Sequence, residues 1–221
     1  MKRRLNILCV IVMLVLSYSV LETGYYFFIG AKAGVEAATD KKPDVSALKD
    51  VMNMKYVSLV PESFSVSGGT LFRDSVFNEK SGENVPVTYA SMLVSVDSHP
   101  AMWEIVIEKA LTFLQMGMYI WAIVLFIRLI ISINKSDIFK WKNVRRLRRL
   151  GIALIIGFSC SLVTTYFTFR SVEEVFSIQG YDLVISDIVS STMLVLGLSA
   201  LIVGEVFAIG LKMKEEQDLT I

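Results

Sequence analysis

Cysteine, proline and histidine are scarce in this chain, with two, four and one respectively among 221 residues. Cys9 and Cys160 sit in separate apolar runs, which excludes a disulfide framework and a cysteine-built metal cluster. His99 stands beside Pro100 with no cysteine or acidic cluster at ligand spacing, and reads as a surface residue rather than a metal ligand. No proline falls within a long apolar run, so the proline breaks at mid-membrane that occur in many transporters are not encoded. Charge is low as well: 19% of the residues are Asp, Glu, Lys or Arg, against about 25% in soluble domains. A formal net charge of +1 gives no reason for the whole chain to bind nucleic acid. Walker loops, dinucleotide fingerprints and haem patterns are missing too.

What the chain does have is apolar residues, 54% of the total, gathered into blocks. Residues 5–29, 111–133, 151–169 and 188–211 form four such runs, interrupted only by Glu22, Arg128 and Glu205. About 20 apolar residues span a hydrocarbon core roughly 30 Å thick as a helix. Barrel strands would instead alternate over about 10 residues, and these runs do not. The expected fold is therefore a membrane all-α bundle of four transmembrane helices. A small extracytoplasmic β-rich insertion lies between helices 1 and 2.

The expected division has helix 1 with its basic start over 1–29 and the β-rich cap over 30–110. Helix 2 covers 111–133, a basic loop 134–150 and helix 3 151–169. An outer loop follows over 170–187, then helix 4 over 188–211 and a tail over 212–221. "MKRR" with "AKA" at 31–33 resembles a cleavable leader, but the apolar stretch exceeds the roughly 7–15 residues of a leader's core, so helix 1 is expected to stay. In the insertion, "MKYVSLV", "SFSVS", "GTLFRDSVFN" and "VPVTYASMLVSV" are broken by Pro61, "SGG" and "EKSGEN", which predicts three to five strands of an antiparallel meander. The segment 31–50 before them reads as a linker or a short surface helix.

Orientation follows from charge. Lys2, Arg3 and Arg4, seven bases between Lys135 and Arg149, and Lys212 with Lys214 all fall on one side of a four-helix layout. The loop 170–187 opposes one arginine to Glu173, Glu174, Asp182 and Asp187. Lys and Arg in short loops mark the cytoplasmic face. Both termini are thus expected inside and the insertion outside, in a bacterial cytoplasmic (inner) membrane.

"KWKNVRRLRRLG", residues 140–151, is half Lys and Arg with no acid. Read as a helix, it gathers Trp141, Val144, Leu147 and Leu150 on one face, with Lys140, Lys142, Arg145, Arg146, Arg148 and Arg149 around the rest. Such a helix lies among headgroups and contacts anionic lipid, or docks an acidic protein. Direct nucleic-acid binding is the weakest option, since the run is short and tied at both ends.

Within the spans, Arg128 and Glu205 sit five and six residues from the inner ends of helices 2 and 4, at depths of roughly 8 and 9 Å. A lone charge there costs a few kcal/mol, so an Arg128–Glu205 ion pair is expected. Neither the S-x-x-K of Ser132 and Lys135 nor the paired Glu173 and Glu174 has the companion motifs of an acylating serine enzyme or a CAAX-type protease. No catalytic residue, cofactor or metal site is expected, and the chain does not read as an enzyme.

Phe139, Asn143, the Arg145 to Gly151 run, Glu205, Phe207, Gly210 and the acidic tail of Glu215, Glu216 and Asp218 together resemble a bacterial family of small four-helix inner-membrane proteins of unknown function. The resemblance is strongest over 139–157 and 200–221. Members are often encoded beside a helix-turn-helix regulator, which implies a membrane-linked regulatory pair. The expected partners are a bilayer with anionic headgroups, a cytoplasmic helix-turn-helix regulator, and a second copy of the chain. The expected function is a membrane-embedded sensor or regulatory scaffold, with a small transporter or permease component using Glu22, Arg128 and Glu205 as the alternative.

Overall fold

The structure is a computed structural model, and it describes residues 2–39, 49–51, 53–62, 72, 74–135, 140–185 and 190–219. The expected strand "SFSVS", the "SGG" turn, Phe139 and Asp187 lie outside these residues. Among the described residues, four long helices carry the chain: α1 (Lys2–Thr39), α2 (Met102–Asn134), α3 (Trp141–Glu173) and α4 (Thr192–Asp218). The described residues also form five short strands: β1 (Met54–Pro61), β2 (Asp74–Asn78), β3 (Glu83–Val87), β4 (Ser91–Ser95) and β5 (Tyr181–Val184). All four helices are long and apolar enough to cross a membrane. The chain is a helical, multi-pass membrane protein.

The helices overrun the apolar blocks. α2 and α3 have 33 residues each, which is about 50 Å of helix at about 1.5 Å per residue. α2 starts at Met102, within the stretch assigned to the cap, and α3 starts at Trp141, so the expected basic loop is mostly its first turns. α1 runs on to Thr39 through the Ala-rich segment read as a linker. Alanine is the best helix former, and nothing in "AKAGVEAAT" is a proline that would stop the helix.

Two compact units form: Met1–Pro43 with Leu111–Cys160 and Ser191–Ile221, and Asp44–Ala110 with Ser161–Ser190. In the helical unit, α3 is packed on both sides. Ala122 and Leu125 of α2 meet Leu150 and Ala153 of α3, with Met118, Phe126, Leu154 and Ala200 against them. Val144 joins Ala208 and Leu211 of α4, flanked by Trp141 and Phe207. Small residues set the α3–α4 distance. A Cβ on Gly151 would stand 2.7 Å from the Gly197 carbonyl oxygen, and one on Gly204 would stand 3.4 Å from the Leu147 Cβ. Gly197, Ala200, Gly204 and Ala208 recur at helical spacing, the small-residue stripe that lets membrane helices approach closely. α1 is different: Ile7, Val10, Leu14, Leu21, Phe27 and Phe28 are each more than half exposed, between 52% and 76%. Water solvates such a surface badly, and a bilayer solvates it well.

The second unit is built around β1. β4 and β5 pair with it on either side, both antiparallel, from Met54 opposite Ser95 to Pro61 opposite Tyr181. Proline has no N–H to give a ladder and stands at the strand's last position. Val57, Ser58 and Leu59 are buried in succession, so both faces of this central strand are covered. β2 and β3 form a separate hairpin. Its turn uses "EKSG", with Gly82 at φ 70° and the Asn78 carboxamide oxygen accepting the Lys80 N–H at 3.0 Å. The expected single meander is thus two small sheets, and one strand comes from between α3 and α4.

Tyr181 at the start of β5 ties these parts together. Its hydroxyl donates to Asp74 Oδ2 at 2.7 Å and accepts the Tyr89 N–H at 3.4 Å. The Asp74 carboxylate, by accepting the phenol proton, raises the Tyr181 pKa above its ordinary value. A raised folded value means that the bond contributes below the unfolded pKa of about 10 and is lost as pH rises through the folded one. Tyr181→Phe should cost about 1 kcal/mol of stability near neutrality. In thermal unfolding it should also flatten the alkaline loss of stability, and an unchanged alkaline limb would count against this bond.

Candidate functional site

The six bases expected to contact lipid or a partner stand at the start of α3, and the structure sorts them. Val144, Leu147 and Leu150 turn inward and are buried, as the one-face reading of the segment requires. Lys140, Lys142, Arg145 and Arg149 are exposed, and Arg146 and Arg148 are half-buried. Asn143 is buried, 1% exposed, among them.

Arg146 crosses to α2. Its Nη1 donates to the Arg128 carbonyl oxygen at 3.0 Å and to Asn143 Oδ1 at 3.1 Å. Both acceptors are neutral, so the guanidinium is fixed without being neutralised. Around it opens a cavity of about 610 Å³ lined by Leu125, Arg128, Lys142, Arg145, Arg146 and Arg149. A neighbouring cavity of about 280 Å³ shares Arg128, Lys142 and Arg146 and adds Ile131, Ser132, Lys135 and Lys140. No described carboxylate lines either one. The S-x-x-K pair Ser132 and Lys135 is therefore a part of a basic wall.

The expected Arg128–Glu205 pair does not form. Glu205 instead takes two hydrogen bonds from Arg148, Nε to Oε1 at 2.8 Å and Nη2 to Oε2 at 2.9 Å. Equal depth in two helices is one coordinate only. Glu205 follows Gly204, which packs against Leu147 and Arg148, so α3 supplies the arginine alongside it. Arg148 is thereby removed from the lipid-facing set and becomes an interhelical contact.

The tail is fastened through Glu215. α4 continues to Asp218, so the segment 212–218 is helical. Glu215 Oε1 accepts the Trp141 indole N–H at 2.7 Å, which fastens the end of α4 to the start of α3. Glu216 and Asp218 are exposed. Sequence reasoning missed the Trp141–Glu215 bond, although an indole donor beside an acidic helix end was its signal.

In the second unit, His99 lines a cavity of about 310 Å³ with Glu104, Phe167, Arg170 and Glu174. Arg170 and Glu174 pair there at 3.6 Å. Lys49 and Asp97 form an exposed ion pair that holds the Asp97 carboxyl below its usual range and the Lys49 ammonium above its own. This pair contributes between those two titrations. It is lost as pH falls through the lowered Asp97 value or rises through the raised Lys49 value. Asp97→Asn should therefore reduce the acid-side fall of the melting temperature slightly, and a larger fall would contradict the pairing.

No curated protein and no solved structure matches the chain. A family profile matches residues 72–221, from just before β2 to the C-terminus, taking in the basic start of α3, Glu205 and the acidic end of α4. α1 and β1 lie outside that match. The chain belongs to the family described as "Protein of unknown function (DUF2975)".

Proposed function

We infer that this protein is a membrane-embedded sensor or regulatory scaffold of a bacterial cytoplasmic membrane, with both termini inside and the sheet-bearing segments outside. The observation that carries the reading is the pairing of β5 with β1. β5 is the link between α3 and α4, so a change in the sheet acts through the chain on the ends of those two helices. The same helices present the basic run and the acidic tail, and the two helices are joined through Arg148–Glu205 and Trp141–Glu215. A signal met by the sheet thus has a route to a basic surface suited to an acidic partner, and the family resemblance nominates a helix-turn-helix regulator as that partner.

Orientation is checked by reporter fusions at residue 80 and residue 221, which should report opposite compartments. Fusions reporting the same side would overturn the topology. Coupling is checked with Lys142→Cys in a chain whose Cys9 and Cys160 are alanine. Its labelling by a thiol reagent in membranes should change when Tyr181→Phe loosens the sheet. Equal labelling rates with intact folding would remove the sensor reading and leave a passive membrane component.

A further inference from the structure

We propose that the cavity between α2 and α3 is a binding site for an anion carrying two phosphate groups, of the kind presented by a diphosphate or by the paired phosphates of a cardiolipin headgroup. The proposal rests on the cavity itself and not on the sensor reading.

Three observations converge. The cavity of about 610 Å³ is lined by five cationic side chains, Arg128, Lys142, Arg145, Arg146 and Arg149, and by one apolar one, Leu125. That volume accommodates a small polar ligand or a headgroup, since ligand pockets run from about 300 Å³ upward. Second, Arg146 is held in place by two neutral acceptors, the Arg128 carbonyl and the Asn143 carboxamide. It is oriented in advance while keeping its full charge, and a planar guanidinium suits the oxygens of a phosphate. Third, the described residues around the cavity supply no compensating acid. Among the described residues no carboxylate pairs with Arg128, Lys142, Arg145, Arg146 or Arg149, whereas the neighbouring Arg148 has Glu205. The first turn of α3 carries no acid, and its peptide dipoles add further positive potential at that end. Five like charges around one cavity repel each other. A dianion removes that repulsion and gains several charge-assisted bonds at once.

A dispersed basic face for a protein partner would not need this arrangement, because its charges would point away from each other over a helix surface. Here α2 contributes Arg128 from the opposite wall, and Arg146 bridges the two helices. Basic pockets between membrane helices at the headgroup level are the sites where phosphate-rich headgroups lodge.

The test uses the full chain in a neutral detergent. Melting temperature is followed on adding inorganic pyrophosphate, inorganic phosphate at matched ionic strength, cardiolipin, or phosphatidylglycerol at equal charge. The paired variant Lys142→Gln with Arg149→Gln removes two cavity charges that no interhelical hydrogen bond uses. Lys212→Gln with Lys214→Gln removes two exposed charges elsewhere. Pyrophosphate should stabilise the native chain more than inorganic phosphate does, and cardiolipin more than phosphatidylglycerol; the cavity variant should bind about tenfold or more weakly, since each base near a phosphate contributes on the order of a severalfold affinity. The control variant should bind as the native chain does. Stabilisation by both ligands identifies the phosphate group as what is recognised, and stabilisation by cardiolipin alone identifies the headgroup as the source. Equal losses in the cavity and control variants, or no preference for the ligands with two phosphate groups over those with one, would overturn the site.

Discussion

Gly151→Ala will destabilise this protein, and Gly117→Ala and Gly210→Ala will not. All three glycines lie in helices, where alanine is the better residue by about 0.5–1 kcal/mol. At Gly117 and Gly210 an added Cβ meets nothing within 4 Å, so that preference stands alone and the variants should be neutral or slightly more stable. At Gly151 the added Cβ would lie 2.7 Å from the Gly197 carbonyl oxygen and 2.7 Å from Leu201 Cγ. Leu201 is a flexible side chain and can move. The carbonyl belongs to the backbone of α4 and moves only with its helix. Prising α3 from α4 strains the contacts that depend on their distance, including Gly204 against Leu147 and the Val144, Ala208 and Leu211 cluster. Overpacking of this kind costs about 1–3 kcal/mol, which exceeds the helical gain and reverses the sign. Gly151→Leu should reach the top of that range, a loss of roughly a hundredfold in the folded-to-unfolded ratio. Denaturant unfolding of the four purified variants gives the order directly. A Gly151→Ala protein as stable as the native one would mean that α3 and α4 are not held this close.

The four spans, the buried face of the basic run and the "EKSG" turn were all legible in the residues. Each is local: an apolar run long enough for a bilayer, a 3.6-residue period over Val144, Leu147 and Leu150, and a turn punctuated by glycine. The parts that escaped depend on distant pairings. "YDLV" is four residues long and looks like any loop, and its strand character comes from β1, whose Pro61 pairs with Tyr181. The β-rich segment was expected to close on itself, but hydrogen bonding to β5 on one side leaves β2 and β3 as a separate hairpin. The α3–α4 seam had a readable signal in the spacing of Gly197, Ala200, Gly204 and Ala208, which the count of apolar residues passed over. The basic residues were legible as a set but not by role. Arg146 and Arg148 differ by only two positions, yet one faces α2 and the other α4, because two residues turn a helix by about 200°. Residues so placed become a cavity wall and an interhelical clasp respectively.

Arg148→Gln will cost more than Glu205→Gln, and the double variant will cost less than their sum. The two residues join α3 to α4 by a two-bond contact. Their side chains are 43% and 59% exposed in the isolated chain, so their surroundings in the cell are lipid and headgroups as much as protein. In water such a pair would contribute about 0–1 kcal/mol. Glu205 lies six residues before Leu211 in a helix long and apolar enough to span a membrane. Removing Arg148 leaves a short carboxylate there with no partner, and a lone charge within a span costs a few kcal/mol on insertion scales. Removing Glu205 leaves an arginine, whose long stem carries its charge to the headgroups at less cost. The expected order is a loss of about 2–3 kcal/mol for Arg148→Gln and about 1 kcal/mol for Glu205→Gln. The double variant strands neither charge and should recover about 1–2 kcal/mol relative to the sum, near the upper end of interhelical bonds in membranes. Exchange of the two charges, Arg148→Glu with Glu205→Arg, should restore part of the stability lost in Arg148→Gln. Arg128→Gln provides the contrast, because it shares depth with Glu205 but no bond, and its effect should add to that of Glu205→Gln. Folded protein recovered from membranes and resistance to denaturant in detergent measure all of these. Additivity of Arg148→Gln with Glu205→Gln to within about 0.5 kcal/mol, or coupling of Glu205 to Arg128 instead, would refute the clasp.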